Sequence, residues 1–206
     1  MKRMILMALL ALALPVAAFA GNVDFGNFGG TLAGTSAGLT LSGSQLDGVS
    51  GLGGLGSGCS RSAPCGTLSF TTGSLSSGNL TTGAIFNGGG TFVITGTSDG
   101  LPSAIFTGSF VGPVTWTENL NCGASGAICY TLSGSISGTW YNGTTVSGAT
   151  VQLTFNAGKN GFLESVPLAS GDTVITTSSV PEPGTLGLLG TGLVGLAGFA
   201  RKRLKG

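Results

Sequence analysis

Glycine constrains this chain more than any other residue: 40 of 206 residues are Gly, 33 of them between residues 21 and 180. A glycine inside a helix costs about 1 kcal/mol relative to alanine. Between strands, the same residue supplies turns at no steric cost. The intervening segments have the period of strands. Phe92 and Ile94 alternate with Thr91, Val93 and Thr95, and Val114 and Trp116 alternate with Thr115 and Thr117. Ile128, Tyr130, Leu132 and Ile136 form the longest run, with Cys129, Thr131 and Ser133 on the other face. Val151, Leu153 and Phe155 alternate with Thr150, Gln152 and Thr154. A period of two rich in β-branched and aromatic residues predicts half-buried strands. Asn87-Gly88 and Asn142-Gly143 read as hairpin turns. No segment between 21 and 179 has a helical period, so the expected fold is all-β, an antiparallel β-sandwich or barrel.

Two stretches read differently. Residues 47–66 carry too many glycines for a strand and are expected to form a long loop. Residues 166–180 end in T-T-S-S and read as a solvated spacer. The string L-T-L-S-G-S at 39–44 returns as Y-T-L-S-G-S at 130–135, but no fixed period follows, so a solenoid is not expected.

Composition narrows the chemistry. The chain has no histidine, which excludes a Ser-His-Asp or Cys-His triad and any His-ligated metal. A net charge of +1 with eight basic residues offers little for a phosphate backbone, so nucleic acid is not an expected partner. Residues 21–180 hold six carboxylates against Arg61 and Lys159. The four cysteines allow three disulfide connectivities, and the local pairs Cys59–Cys65 and Cys122–Cys129 are favoured because each would staple a turn-rich loop. Zinc would need shorter spacings than the five and six residues between these cysteines. Neither a metal nor a cofactor is expected.

The two ends are apolar for a different reason. Lys2 and Arg3 precede an apolar run from Met4 to Leu14, and Ala18-Phe19-Ala20 forms a small-x-small cleavage site. These are the parts of a secretory signal peptide, placed at residues 1–20 as a helix. From residue 180 the sequence reads Val180-Pro181-Glu182-Pro183, then an uncharged apolar run from Thr185 to Ala200, then Arg201, Lys202, Arg203 and Lys205. As a helix the run is about 24 Å long against a hydrocarbon core of roughly 30 Å, a marginal transmembrane span. The basic cluster is expected to stop transfer and stay cytoplasmic. The chain thus divides into residues 1–20, a Gly/Ser/Thr-rich β domain at 21–179, and a tail at 180–206.

This tail closely resembles the PEP-CTERM sorting signal of Gram-negative bacteria. The resemblance rests on Pro181-Glu182-Pro183, the apolar span and the basic cluster. It implies that an exosortase, an integral-membrane cysteine transpeptidase, recognises the motif and removes the anchor during surface delivery. The same tail signature also occurs on some ice-binding proteins. The resemblance stops at the tail; residues 21–179 resemble no family.

The expected function is that of an exported, non-catalytic protein of the cell surface or extracellular matrix. Its expected partners are the exosortase, the membrane before processing, and exopolysaccharide in a biofilm. By resemblance, such tails belong to exopolysaccharide-producing bacteria, and a weakly acidic, hydroxyl-rich domain suits hydrated polysaccharide. One alternative is ice or carbohydrate binding through a flat threonine face, for which Thr95-Gly96-Thr97 and Thr115-Trp116-Thr117 are the candidates. The other is a glycosidase using two carboxylates, Glu118 and Glu164, with Trp116 stacking on sugar.

Overall fold

The computed structural model describes residues 21–119, 126–159, 161–162, 164–177 and 192. Residues Gly21–Thr177 form one compact unit. The expected signal helix, most of the expected transmembrane helix and the basic cluster lie outside the described residues. Among the described residues no helix is long and apolar enough to cross a membrane.

The described residues of the unit form thirteen strands: β1 (Gly21–Phe28), β2 (Thr31–Thr35), β3 (Gly38–Ser50), β4 (Gly66–Thr71), β5 (Leu75–Asn79), β6 (Gly83–Phe86), β7 (Gly89–Gly96), β8 (Phe106–Phe110), β9 (Val114–Asn119), β10 (Cys129–Trp140), β11 (Thr145–Asn156), β12 (Ser165–Pro167) and β13 (Ser170–Thr177). Eight of them close a ring in the order β1-β3-β4-β7-β8-β10-β11-β13 and back to β1. The fold is therefore a closed antiparallel barrel rather than a sandwich. Closure leaves these strands no free edge. Two short branches leave the ring, β2–β12 from β3 and β9–β6–β5 from β10.

An eight-stranded barrel is just wide enough for side chains to fill, and here phenylalanines fill it. Phe25, Phe70, Phe92, Phe106, Phe110 and Phe155 are buried inside. Phe92 meets Phe110 edge-on at 5.7 Å and lies 6.5 Å from Phe70. One polar thread crosses this interior: Asn27 donates to the Ser44 hydroxyl at 2.8 Å and accepts from Thr173 at 3.4 Å. The thread joins β1, β3 and β13, so these three buried polar side chains satisfy one another where the ring closes.

The strands fall into two sets with the same pairing. In the first, β1 and β2 share one edge of β3, the other edge takes β4, and β4 pairs with β7. In the second, β8 and β9 share one edge of β10, the other edge takes β11, and β11 pairs with β13. The links between sets are equivalent too. β7 pairs with β8 as β13 pairs with β1, and β6 covers β9 as β12 covers β2. The β5–β6 pairing is the one without a counterpart among these ladders. Sequence marks the correspondence: Leu41-Ser42-Gly43-Ser44 and Leu132-Ser133-Gly134-Ser135 sit where one partner strand hands over to the next. The cross-strand pair Gly26–Gly48 returns as Gly108–Gly138, and Val93-Ile94-Thr95 on β7 returns as Val174-Ile175-Thr176 on β13. The chain bends between β1 and β2 at Gly30, where φ is +77° and a Cβ would sit 2.5 Å from the Ser42 carbonyl oxygen. Glycine alone fits there. Gly112, at φ +80°, occupies the matching bend between β8 and β9.

Several expectations change. Residues 166–180 are no spacer as far as Thr177: β12 and β13 occupy the stretch, with Val166, Leu168, Thr173 and Ile175 buried. Asn87-Gly88 joins β6 to β7, which pair with different neighbours, so it is not a hairpin turn. Asn142-Gly143 is one, between β10 and β11, with Trp140 N–H bonded to the Thr144 carbonyl at 2.9 Å. The loop expected at 47–66 begins only after Ser50, because β3 runs that far against β1. Cys59 and Cys65 form the expected disulfide, with Cα atoms 5.3 Å apart. Arg61 fastens this loop to the barrel, donating to Asp47 at 3.1 Å and to the Ala169 carbonyl at 3.3 Å. Cys129 is also disulfide-bonded; its expected partner Cys122 lies outside the described residues.

Because β13 bridges β1 and β11 along its length, deleting Ser170–Thr177 should abolish cooperative unfolding and leave an aggregation-prone chain. Circular dichroism melts of the deleted and intact proteins check this; an unchanged melt would return the segment to a spacer role.

Candidate functional site

The aromatic residues of β9 and β10 turn inward where the second branch leaves the barrel. Trp116 stacks on Tyr130 with centroids 4.6 Å apart and planes 3° from parallel, and Phe162 meets Trp116 edge-on at 5.5 Å. The polar tips of both are used: Trp116 Nε1 donates to the Leu80 carbonyl at 2.9 Å, and Tyr130 Oη donates to the Thr81 carbonyl at 3.0 Å. Tyr130 Oη also accepts from Phe162 N–H at 3.1 Å. Trp116 is only 1% exposed, so the expected stacking of this ring on a sugar is overturned. Its indole is a core element with its N–H satisfied, as buried tryptophans require.

The two candidate carboxylates have separate surroundings. Glu118 is the cross-strand partner of Tyr130. Burial raises the Tyr130 phenol above its ordinary value; the Phe162 hydrogen bond opposes this and the Glu118 charge adds to it. Glu164 lies on the rim of a cleft of about 520 Å³ lined by Leu75, Asn79, Leu80, Thr81 and Phe162. Its φ is +107°, unusual for a residue with a side chain, and its carbonyl accepts from Gly34 N–H at 2.7 Å. No hydrogen bond joins Glu118 to Glu164. Among the described residues no group of three or more Cys, Asp or Glu could hold a metal ion.

The outer faces of the barrel carry the more ordered chemistry. Outward positions line up across strands in rows set by register. Thr117, Thr131, Thr154 and Asp172 form one row over β9, β10, β11 and β13; Thr115, Ser133, Gln152 and Val174 form the next. A shallow trough of about 170 Å³ lies between β11 and β13 along Thr150, Gln152, Thr154 and Thr176. Threonines that follow no regular spacing along the chain thus recur at the inter-strand distance, which only the register reveals. Of the candidate pair Thr95 and Thr97, Thr95 lies on β7 and shares a 2.7 Å hydrogen bond with Thr67, whereas Thr97 falls beyond the strand end at Gly96.

Asp24 and Asp172, diagonal neighbours on β1 and β13, stand at the edge of these rows. Asp24 Oδ1 is buried with no hydrogen-bond donor. The neighbouring Asp172 is an acceptor too, and a shared proton turns the pair into a hydrogen bond. Burial first, then the Asp172 carboxyl, raises the Asp24 pKa from 3.8 to about 6, opposed by a backbone hydrogen bond. A carboxyl raised on folding stabilises the protein fully below its unfolded value and loses that contribution as pH rises through the folded one. Melting temperature should therefore fall between about pH 4 and 7, and Asp24→Asn should flatten that fall. Melts of both proteins at the two pH values check it; equal slopes would remove Asp24 as the cause.

The sorting residues Val180, Pro181, Glu182 and Pro183, the basic residues Arg201, Lys202, Arg203 and Lys205, and the cleavage residues Ala18 and Ala20 lie outside the described residues. No curated protein and no solved structure matches the chain. Residues 179–203 match the family model of the PEP-CTERM protein-sorting motif. That motif implies export, exosortase processing and sorting to the cell envelope. Residues 179–203 thus carry a PEP-CTERM protein-sorting motif, beyond the β-barrel body.

Proposed function

We propose that the protein is a non-catalytic component of the extracellular matrix of a Gram-negative bacterium, held in exopolysaccharide by its barrel after the exosortase removes the membrane anchor. The observation that carries this reading is the pair of hydroxyl-lined sheet faces on the barrel exterior, whose strands carry no cation and few carboxylates, Asp47 on β3 and Asp172 on β13 among them. Hydroxyls both donate and accept, so they exchange hydrogen bonds with a hydrated polyol without the desolvation cost of ionic groups. The body's two cations, Arg61 and Lys159, lie in loops rather than on these strands. The threonine rows favour a second reading, an ice-binding surface, and thermal hysteresis of the purified protein is the measurement that would favour it. Release of reducing sugar from matrix glycan, lost in a folded Glu118→Gln variant, would instead favour a glycosidase.

Sorting is tested at the motif. Prolines on both sides of Glu182 disfavour helix and sheet in such a sequence, and the role proposed for Glu182 is recognition. Replacing Pro181, Glu182 and Pro183 with alanine should leave export intact and block tail removal. A full-length species then accumulates in the membrane fraction of a host that has the sorting enzyme. A variant reaching the surface as fully as wild type, with the same mass, would sink the sorting role.

A further inference from the structure

We propose that the body is divalent: two equivalent faces on opposite sides of the barrel each bind a segment of a neutral polysaccharide, so that one molecule joins two chains. The proposal rests on the matrix reading and adds to it the ligand charge class, the surfaces and the valency.

The two strand sets define the faces. One is built on β3, β4 and β7, the other on β10, β11 and β13. Matching pairings equate Thr40 with Thr131 and Thr71 with Thr154, because each pair occupies the same register position. On the third strand Thr95 corresponds to Thr176 within the repeated Val-Ile-Thr string. All six point outward, between the buried positions of their strands. In the first face the hydroxyls already order one another: Thr67 with Thr95 at 2.7 Å and Thr71 with Thr91 at 3.2 Å.

Ring order fixes their relation. In the sequence β3-β4-β7-β8-β10-β11-β13-β1, the central strands β4 and β11 are four places apart in a ring of eight, on opposite sides. A single stretched chain cannot lie on both, so occupancy of both faces means two chains or two distant segments. Duplicated faces suit a ligand that repeats, as a polymer does, and two linked sites gain avidity without new contacts.

Charge selects the class of polymer. Neither face has a cation on its own strands, Arg61 reaching Asp47 of β3 from the cystine loop at the side next to Gly26 of β1, and the second face replaces Thr91 with Asp172 at the matching position, beside Asp24. A polyanion would be repelled there, whereas a neutral glycan fits both.

The test uses full-length protein in a non-glycosidic detergent and exopolysaccharide purified from the host, separated into neutral and acidic fractions. The first face is blocked by Thr40→Lys with Thr91→Lys, the second by Thr131→Lys with Gln152→Lys. Alanine replacements at the same positions serve as a second set if lysine disturbs folding. Wild type should bind beads bearing the neutral fraction and raise light scattering in solution by cross-linking. Each single-face variant should still bind beads, at half the glycan stoichiometry, and no longer raise scattering. Blocking both faces should weaken bead binding about ten-fold or more, the loss of one or more hydrogen bonds per face. If one face carries all the binding, divalency is wrong and the matrix reading stands. If wild type binds only the acidic fraction, the charge assignment is overturned. If wild type binds neither, the matrix reading falls and the proposal with it, and thermal hysteresis in that sample would assign the faces to ice.

Discussion

Everything in this barrel depends on pairing its first strand with its last. Valine, isoleucine, leucine and phenylalanine supply only a quarter of residues 21–180, so the fold relies heavily on satisfying its backbone. An open sheet would expose two edges of unpaired N–H and C=O groups; closing the ring removes them. The closing contact is also the least local: Thr177 Oγ1 donates to the Gly21 carbonyl across 156 positions of sequence. Such a contact carries a large loop-closure entropy, which the pairing of the two strands has to offset. The buried Asn27–Ser44–Thr173 thread lies at this seam, where a register slip would leave an amide buried without partners.

The two-set organisation explains why neither half is complete. β1 and β7 are edges of the first set, and each is covered by a strand of the second. The branches repeat the exchange, since β6 lies on β9 and β12 on β2. Mutual covering protects four edges with one arrangement. It also places the small aromatic core of Trp116, Tyr130 and Phe162 between residues from both sets, because Leu80 and Thr81 receive the hydrogen bonds of that core.

Strands with phenylalanine, tryptophan or leucine at alternate positions were legible in the sequence. Phe92 and Ile94, Val114 and Trp116, and Val151, Leu153 and Phe155 all point inward as their spacing predicts. β13 was not, because its inward residues are Thr173 and Ile175, set in a Ser/Thr-rich stretch whose composition resembles a spacer. Asn87-Gly88 misled for a related reason: a turn dipeptide specifies a bend, not which strands pair after it. The internal correspondence was visible only as isolated strings. A long cystine loop separates β3 from β4, whereas four residues separate β10 from β11, so no constant period survives. The rows of hydroxyls could not be read at all, since register alone brings Thr117, Thr131 and Thr154 side by side.

Sorting and fold meet at one place. The segments before Gly21 and after Thr177 join the body at residues that are cross-strand partners on β1 and β13. Both connections therefore leave from the same corner of the ring. The first face, on β3, β4 and β7, shares no strand with that corner. The second includes β13, but its rows through Thr131, Ser133, Thr154 and Gln152 lie on β10 and β11, one or two strands away. Cutting the chain after residue 177 removes no member of any ladder. A body whose ladders all close within Gly21–Thr177 keeps every sheet face when the residues that carry the sorting motif are removed.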